Sequence, residues 1–390
     1  MKHARKLLYG MITMGAVLLA ACSHDDDVTT VVTPGEPVAI AFDYLTEPYE
    51  NTRAANGYTG IINAENNELY YTGFGVFASK EEGTLPDLMY NQKIEFIFYA
   101  DGSGNGYWSY SPLKYWPADP TDVSFCTYAP YVETPGVLAA GTTGIIGMSS
   151  TTATTPYIIY ARTKHPEENV DLLWGYSKPG TRTTVGLTMH HALARVKLSL
   201  GITNGSTLAV GSRFLIKRIK LKGNFAKTGQ LNLNQGATGA PPVWLPNWSA
   251  QVLADKDAAD DEDNVIIIDH NPEVTPASYG IIDEKGRYLP GLPNRWQPVG
   301  LPHLDYDPSD PDLKDNRTNL LCMGDYPSYL YLIPQADLTF TCVLDYCIIS
   351  ADGSTLTDYH KTTATLETPI HITPLNGNKT YDVTLKVTIE

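Results

Sequence analysis

The chain has 390 residues, 43% hydrophobic and 18% charged, long enough to bury two ordinary cores. Its formal charge is −15, which argues against nucleic acid or anionic lipid head groups as electrostatic partners, since both need a basic footprint.

The first element is an export signal. Lys2, Arg5 and Lys6 form a basic head, and Leu7 to Leu19 form an apolar segment too short to span a bilayer. Leu19-Ala20-Ala21-Cys22 resembles a bacterial lipobox, in which the cysteine is lipidated and becomes the first residue of the mature protein. Residues 1–21 are therefore expected to be removed, taking three cations with them and lowering the charge from −15 to −18. The alternative is an ordinary cleaved signal with an incidental cysteine. Several acyl chains on Cys22 would anchor stably where one would not. Ser23-His24-Asp25-Asp26-Asp27 resembles the surface-export tags of lipoproteins from gut and oral anaerobes, or is a solvated acidic spacer. Residues 22–36 hold no aromatic residue and contain Pro-Gly near their end, the composition of a tether.

Beyond the tether, period-two alternation dominates. Strands are expected at Phe74 to Ser79, Ile94 to Tyr99, Val123 to Tyr128, Val196 to Leu200, Phe214 to Leu221 and Leu338 to Tyr346. The clearest is the last, where Tyr381, Val383, Leu385, Val387 and Ile389 share one face. Pro166 to Trp174, opened by Pro and two glutamates, is the best candidate for a short helix. Strands joined by turns without alternating helices predict antiparallel β-sandwiches. The turn Ser177-Lys178-Pro179-Gly180 divides the chain into an N-terminal sandwich, 37–180, and a C-terminal one, 181–390. Long irregular stretches at 236–264 and 286–318 are of the kind that is functional or disordered.

No GxSxG, HExxH, P-loop or GxGxxG pattern is present, which lowers the expectation of an enzyme; no catalytic residue, metal ligand or cofactor is assigned. His190 and His191, adjacent on a strand, point to opposite faces and cannot chelate one ion; one is expected packed or hydrogen-bonded, the other solvated. Two acidic runs, Asp255 to Asp263 and Asp305 to Asp315, offer hard oxygen ligands for calcium but lack EF-hand order, so solvated loops are favoured. Four cysteines follow Cys22: Cys126, Cys322, Cys342 and Cys347. Their even number permits disulfides in an exported chain. Cys342 and Cys347 lie on opposite faces of one strand, and four in so long a chain read better as buried small apolar residues. Trp108, Trp116, Trp244, Trp248 and Trp296 sit near Pro or Gly, placed either to stack on sugars or to cap the cores.

Several segments together resemble the fimbrillin-like family, the subunits and tip proteins of pili built from surface lipoproteins. They are Ile40-Ala41-Phe42 with Thr52-Arg53-Ala54, Phe74 to Ala78, Tyr110 to Pro117 running into Val123 to Tyr131, and Asp171 to Gly175. Met189 to Val196, Leu332 to Gln335 and the strand opened by Gly377 to Tyr381 complete the set, which covers most of the mature chain. The resemblance implies an all-β chain of two transthyretin-like Greek-key β-sandwich domains in tandem. It also implies an Arg-directed protease that removes the first strand, and a strand from another subunit that fills the groove, a form of β-augmentation. Arg53 and Ala54 match the cleavage position, and Pro37 to Tyr44 would be the strand removed; the alternative is that Arg53 is only a loop cation. Tyr381 to Ile389 has the alternation of a donor but fits equally as a core strand; with only Glu390 after it, no separate donor extension is evident, leaving a terminal, tip-like or non-polymerising role open. The implied partners are other fimbrillin-type subunits, a host or bacterial surface receptor, and the outer membrane through the lipid on Cys22. The competing expectations are a non-polymerising glycan-binding lipoprotein and, more remotely, an exported hydrolase.

Overall fold

The computed structural model describes residues 37–46, 69, 72–103, 105–134, 144–162, 171–202, 209–234, 245–261, 264–269, 303–305, 317–319, 329–349, 363–365 and 369–387. The chain divides into two compact units, Met1–Pro37 and Val38–Glu390. All described residues except Pro37 belong to the second. Among them every named element is a strand, so the protein is all-β as expected.

The first sheet holds β1 (Phe42–Thr46), β2 (Phe74–Ser79), β3 (Met89–Phe98), β4 (Gly106–Ser109), β5 (Ser124–Ala129), β8 (Leu173–Ser177) and β9 (Val185–His191), in the order β1-β9-β8-β5-β2-β3-β4. Strands β2 and β5 are buried along their whole length because both faces of the sheet are covered. Alternate residues of each go to different cores. Phe74, Val76, Ala78, Phe125 and Ala129 join one cluster with Val185, Leu187 and Met189 of β9. Phe77, Cys126 and Tyr128 join the other.

Across that second cluster lies a sheet of β6 (Ile145–Met148), β7 (Tyr157–Ala161), β12 (Ala226–Asn232) and β13 (Asn247–Leu253), in the order β13-β12-β7-β6. It contributes Ile145, Ile158, Tyr160 and Leu231. A third core fills the space between two further sheets. One is built on β10 (Ala194–Ile202), with β16 (Arg317–Asn319), β17 (Leu330–Leu332) and β21 (Thr380–Val387). The other is built on β11 (Arg213–Gly223) and β18 (Leu338–Ile349), with β14 (Val265–Asp269), β15 (His303–Asp305), β19 (Thr363–Thr365) and β20 (Ile370–Ile372).

The structure departs from the expectations in three places. Two pairings are parallel rather than antiparallel: β1 on β9, from Phe42↔Val185 to Thr46↔Met189, and β21 on β10, from Arg195↔Thr380 to Ile202↔Val387. Alternation specifies which face a strand buries and says nothing about the direction of its neighbour. The expected helix over Pro166–Trp174 is not continued at its described end, where Leu173 and Trp174 open β8; both side chains are drawn into cores, a tertiary preference that outweighs helical start signals. His190 and His191 are both buried, so neither is solvated, because the strand that carries them has cores on both sides. The turn at 177–180 joins β8 to β9, which are hydrogen-bonded neighbours through Leu173↔His191 and Trp174↔His190, so the first sheet continues across it.

Candidate strand-acceptor site

The segment from Val38 to Thr46 changes partners midway. At its start, the Ile40 amide donates to the Lys114 carbonyl at 2.9 Å and the Trp116 amide donates to the Val38 carbonyl at 2.9 Å, an antiparallel contact centred on Ala39 and Tyr115. From Phe42 onward it runs parallel to β9, and the Val185 amide donates to the Ala41 carbonyl at 2.8 Å. β1 and β4 are the two edges of the seven-stranded sheet and also touch each other. The sheet thus curls around its own core, and residues 38–46 close the seam.

Among the described side chains of this segment, Val38, Ile40 and Phe42 face inward. Phe42 meets Phe74, Tyr110 and Phe125 edge to face, with centroids 6.2, 5.7 and 5.7 Å away. Asp43, next in line, is exposed. Burying Ile40 and Phe42 is worth about 1.5–3 kcal/mol each.

Tyr110 locks the strand from outside its own ladder. Its hydroxyl donates to the Ile40 carbonyl at 2.8 Å, and the same oxygen accepts from the Lys114 amide at 3.3 Å. Burial pushes this phenol above its ordinary value, so it remains a donor at any physiological pH. A second tyrosine repeats the pattern: the Tyr128 hydroxyl accepts from the Val132 amide at 3.3 Å and donates to Asn91 Oδ1 at 2.6 Å. Both tyrosines stand two residues before a cis-proline, Pro112 and Pro130. The signal was present in the repeated Tyr-x-Pro of the two segments, but only the structure shows what each hydroxyl grips.

The segment Met189 to Val196 passes through all three cores. Met189 enters the first, Ala192 and Leu193 the second, and Ala194 and Val196 the third. His190 packs on Trp174 with centroids 5.5 Å apart. His191 Nδ1 lies 2.7 Å from Asp171 Oδ2, with both side chains fully buried. Arg195 is buried too; its Nε donates to Thr380 Oγ1 at 3.0 Å and its guanidinium lies over the Tyr329 ring. This one stretch therefore pairs with β1 through β9 and with β21 through β10, a joint role that the alternation of the two histidines did not reveal.

The remaining candidates are dispersed. Cys22, Arg53 and Ala54 lie outside the described residues, as do Cys322, Trp244, Trp296 and the acidic run from Asp307 to Asp315. Cys126 and Cys342 are buried free thiols, each pushed up to about 12 by burial. In the first acidic run, Asp260 receives Lys220 at 2.8 Å and Lys222 at 3.0 Å, which hold its carboxyl below the usual range. Asn264 ties the loop together through the carbonyls of Asp255 and Ala259. Among the described residues no group of acidic, histidine or cysteine side chains could hold a metal ion. Trp116 is buried against Phe125 and Trp108 packs on Phe74 and Phe96, while the Trp248 indole donates to the Ala192 carbonyl at 2.9 Å. These three rings cap cores.

Comparison with known proteins bears on the whole. A sequence model of the family described as fimbrillin-like matches residues 52–277. A curated relative, the fimbrium subunit Fim1C of Phocaeicola vulgatus, is 28% identical over 136 residues. That alignment spans 33% of this chain and 31% of the relative. A crystal structure of a fimbrial protein from Bacteroides vulgatus is similar in fold, with a TM-score of 0.52 at 18% identity, over 89% of this chain and 95% of that one.

Proposed function

Because the chain belongs to the fimbrillin-like family, a family of fimbrial structural proteins rather than enzymes, we propose that it is a surface-exposed lipoprotein that acts as a structural or tip subunit of a pilus. In this reading Cys22 carries the lipid that holds the precursor on the outer membrane. Cleavage between Arg53 and Ala54 then frees residues 37–46, and a strand from another subunit takes their place.

The observation that supports this most is the construction of β1. It is an edge strand, parallel to β9, whose Phe42, with Val38 and Ile40 just before it, completes a core whose other described members all lie later in the chain. Intact, it occupies its groove as an intramolecular ligand at the millimolar effective concentration of a short tether. Cutting the chain behind it removes that advantage, and every 1.4 kcal/mol lost is tenfold in occupancy. The vacated groove would expose apolar side chains together with the open edge of β9, a combination that recruits another strand.

Digesting the mature chain with an Arg-specific protease tests the reading. The expected result is release of a fragment ending at Arg53, with oligomers forming in the wild type and not in Arg53→Gln. Cleavage without association, or association unaffected by Arg53→Gln, contradicts it.

A further inference from the structure

We infer that the groove beneath β1 selects its occupant through one pocket, the aromatic cage around Phe42, and that it accepts an extended segment of the form aliphatic-x-aliphatic-x-Phe. This rests on the strand-replacement reading above and specifies the partner.

The cage has three walls, Phe74, Tyr110 and Phe125, each presenting its edge or face to the Phe42 ring. Phe74 and Phe125 are fixed in central strands and fully buried, so the cage cannot collapse to fit a smaller side chain. Two residues earlier, Ile40 is 2% exposed in the same core, and Val38 lies partly buried beside it. The three inward positions therefore grade from partly covered aliphatic, through buried aliphatic, to caged aromatic. The backbone contributes little selectivity. Its hydrogen bonds to the Lys114 carbonyl, the Trp116 and Val185 amides and the Tyr110 hydroxyl use main-chain groups that any non-proline strand can supply. Because the segment runs antiparallel to residues 114–116 and parallel to β9, an occupant entering in either direction is parallel to one neighbour and antiparallel to the other. Side-chain order, not backbone polarity, then decides the fit.

The chain's own last strand is a poor match. On its apolar face, Tyr381, Val383 and Leu385 place the only ring first, so it can reach the cage only by inserting in reverse. It would then bring a phenol where β1 has a phenyl ring, and a buried hydroxyl without a partner is costly. The occupant is accordingly an aliphatic-x-aliphatic-x-Phe strand other than the Tyr381 to Leu385 strand of a second copy.

The test uses the lipid-free mature chain cut after Arg53, with a fluorescent peptide of residues 37–46, PVAIAFDYLT, as the probe and unlabelled peptides as competitors. Unlabelled PVAIAFDYLT should displace the probe, its Phe42→Ala form should be at least about 100-fold weaker, and its Phe42→Tyr form about tenfold weaker. The peptide of residues 380–389, TYDVTLKVTI, should also be at least about tenfold weaker. Equal competition by the Phe42→Ala peptide or by TYDVTLKVTI overturns the selectivity proposed here while leaving strand replacement intact. Failure of PVAIAFDYLT itself to bind overturns strand replacement, and this proposal with it.

Discussion

The Tyr110 hydroxyl donates to the carbonyl of Ile40 across 2.8 Å, so a residue of the later chain holds the first strand at its most buried position. Replacing Tyr110 with Phe keeps the ring that walls the Phe42 pocket and removes the hydroxyl, with its bond to the Ile40 carbonyl and the one it accepts from the Lys114 amide. The loss should be about 1 kcal/mol. Hydrogen exchange at the Ile40 amide should quicken about fivefold in Tyr110→Phe, with little change at amides of β18.

The buried pair of His191 and Asp171 predicts an asymmetric response to mutation. Asp171→Ala leaves an imidazole buried without its 2.7 Å partner and should cost about 1–3 kcal/mol in urea unfolding. Replacing both at once, with His191→Phe and Asp171→Ala, should cost less than the sum of the two single changes, because neither member of the pair is then left facing a missing partner.

Burial of Cys126 and Cys342 gives a pH dependence with a definite sign. Each thiol is raised from 9.0 to about 12 in the folded chain. Below pH 9 folded and unfolded forms both keep the proton, and the full contribution to stability is present. Between pH 9 and 12 the unfolded form ionises first, so stability falls as pH rises. Urea midpoints should therefore decline from pH 9 to pH 10.5, less steeply in Cys126→Ala. A thiol reagent at pH 8 should leave both groups unmodified until denaturant is added.

Asp260 is occupied by Lys220 and Lys222, and Asn264 gathers the carbonyls of Asp255 and Ala259, so this carboxylate already has its charge matched. Calcium at millimolar concentration should leave the melting temperature of an Asp260→Asn variant and of the wild type equally unaffected. A rise of several degrees in the wild type alone would identify this loop as a calcium site.

Much of this was legible in the sequence. Strand β21 was visible because Tyr381, Val383 and Leu385 alternate with polar residues, and β2 and β5 because short apolar runs end in turn residues. The chain's order of short motifs pointed to the fimbrillin-like family. What remained hidden depends on contacts between distant residues. Phe42 reads as one more apolar residue until Phe74, Tyr110 and Phe125 are seen around it. His190 and His191 obey the alternation rule, since one meets Trp174 and the other Asp171, but alternation cannot tell that both faces are covered. Likewise, the turn at 177–180 announces a reversal of the chain, and only the pairing of β8 with β9 shows that the sheet goes on beyond it.

Assembly by strand replacement requires that β1 leave its groove. Asp43 and Gly186 are paired neighbours on β1 and β9; Asp43 is exposed, and a Cβ on Gly186 would meet nothing within 4 Å. Cysteines at both positions would stand on directly paired strands, where a disulfide requires a Cα separation of about 4.4–6.8 Å. After Arg-specific cleavage, size-exclusion chromatography of the oxidised Asp43→Cys, Gly186→Cys protein should show monomer, and addition of reductant should restore the oligomers formed by the wild type. Oligomers that form equally well with the first strand locked in place would rule out strand replacement.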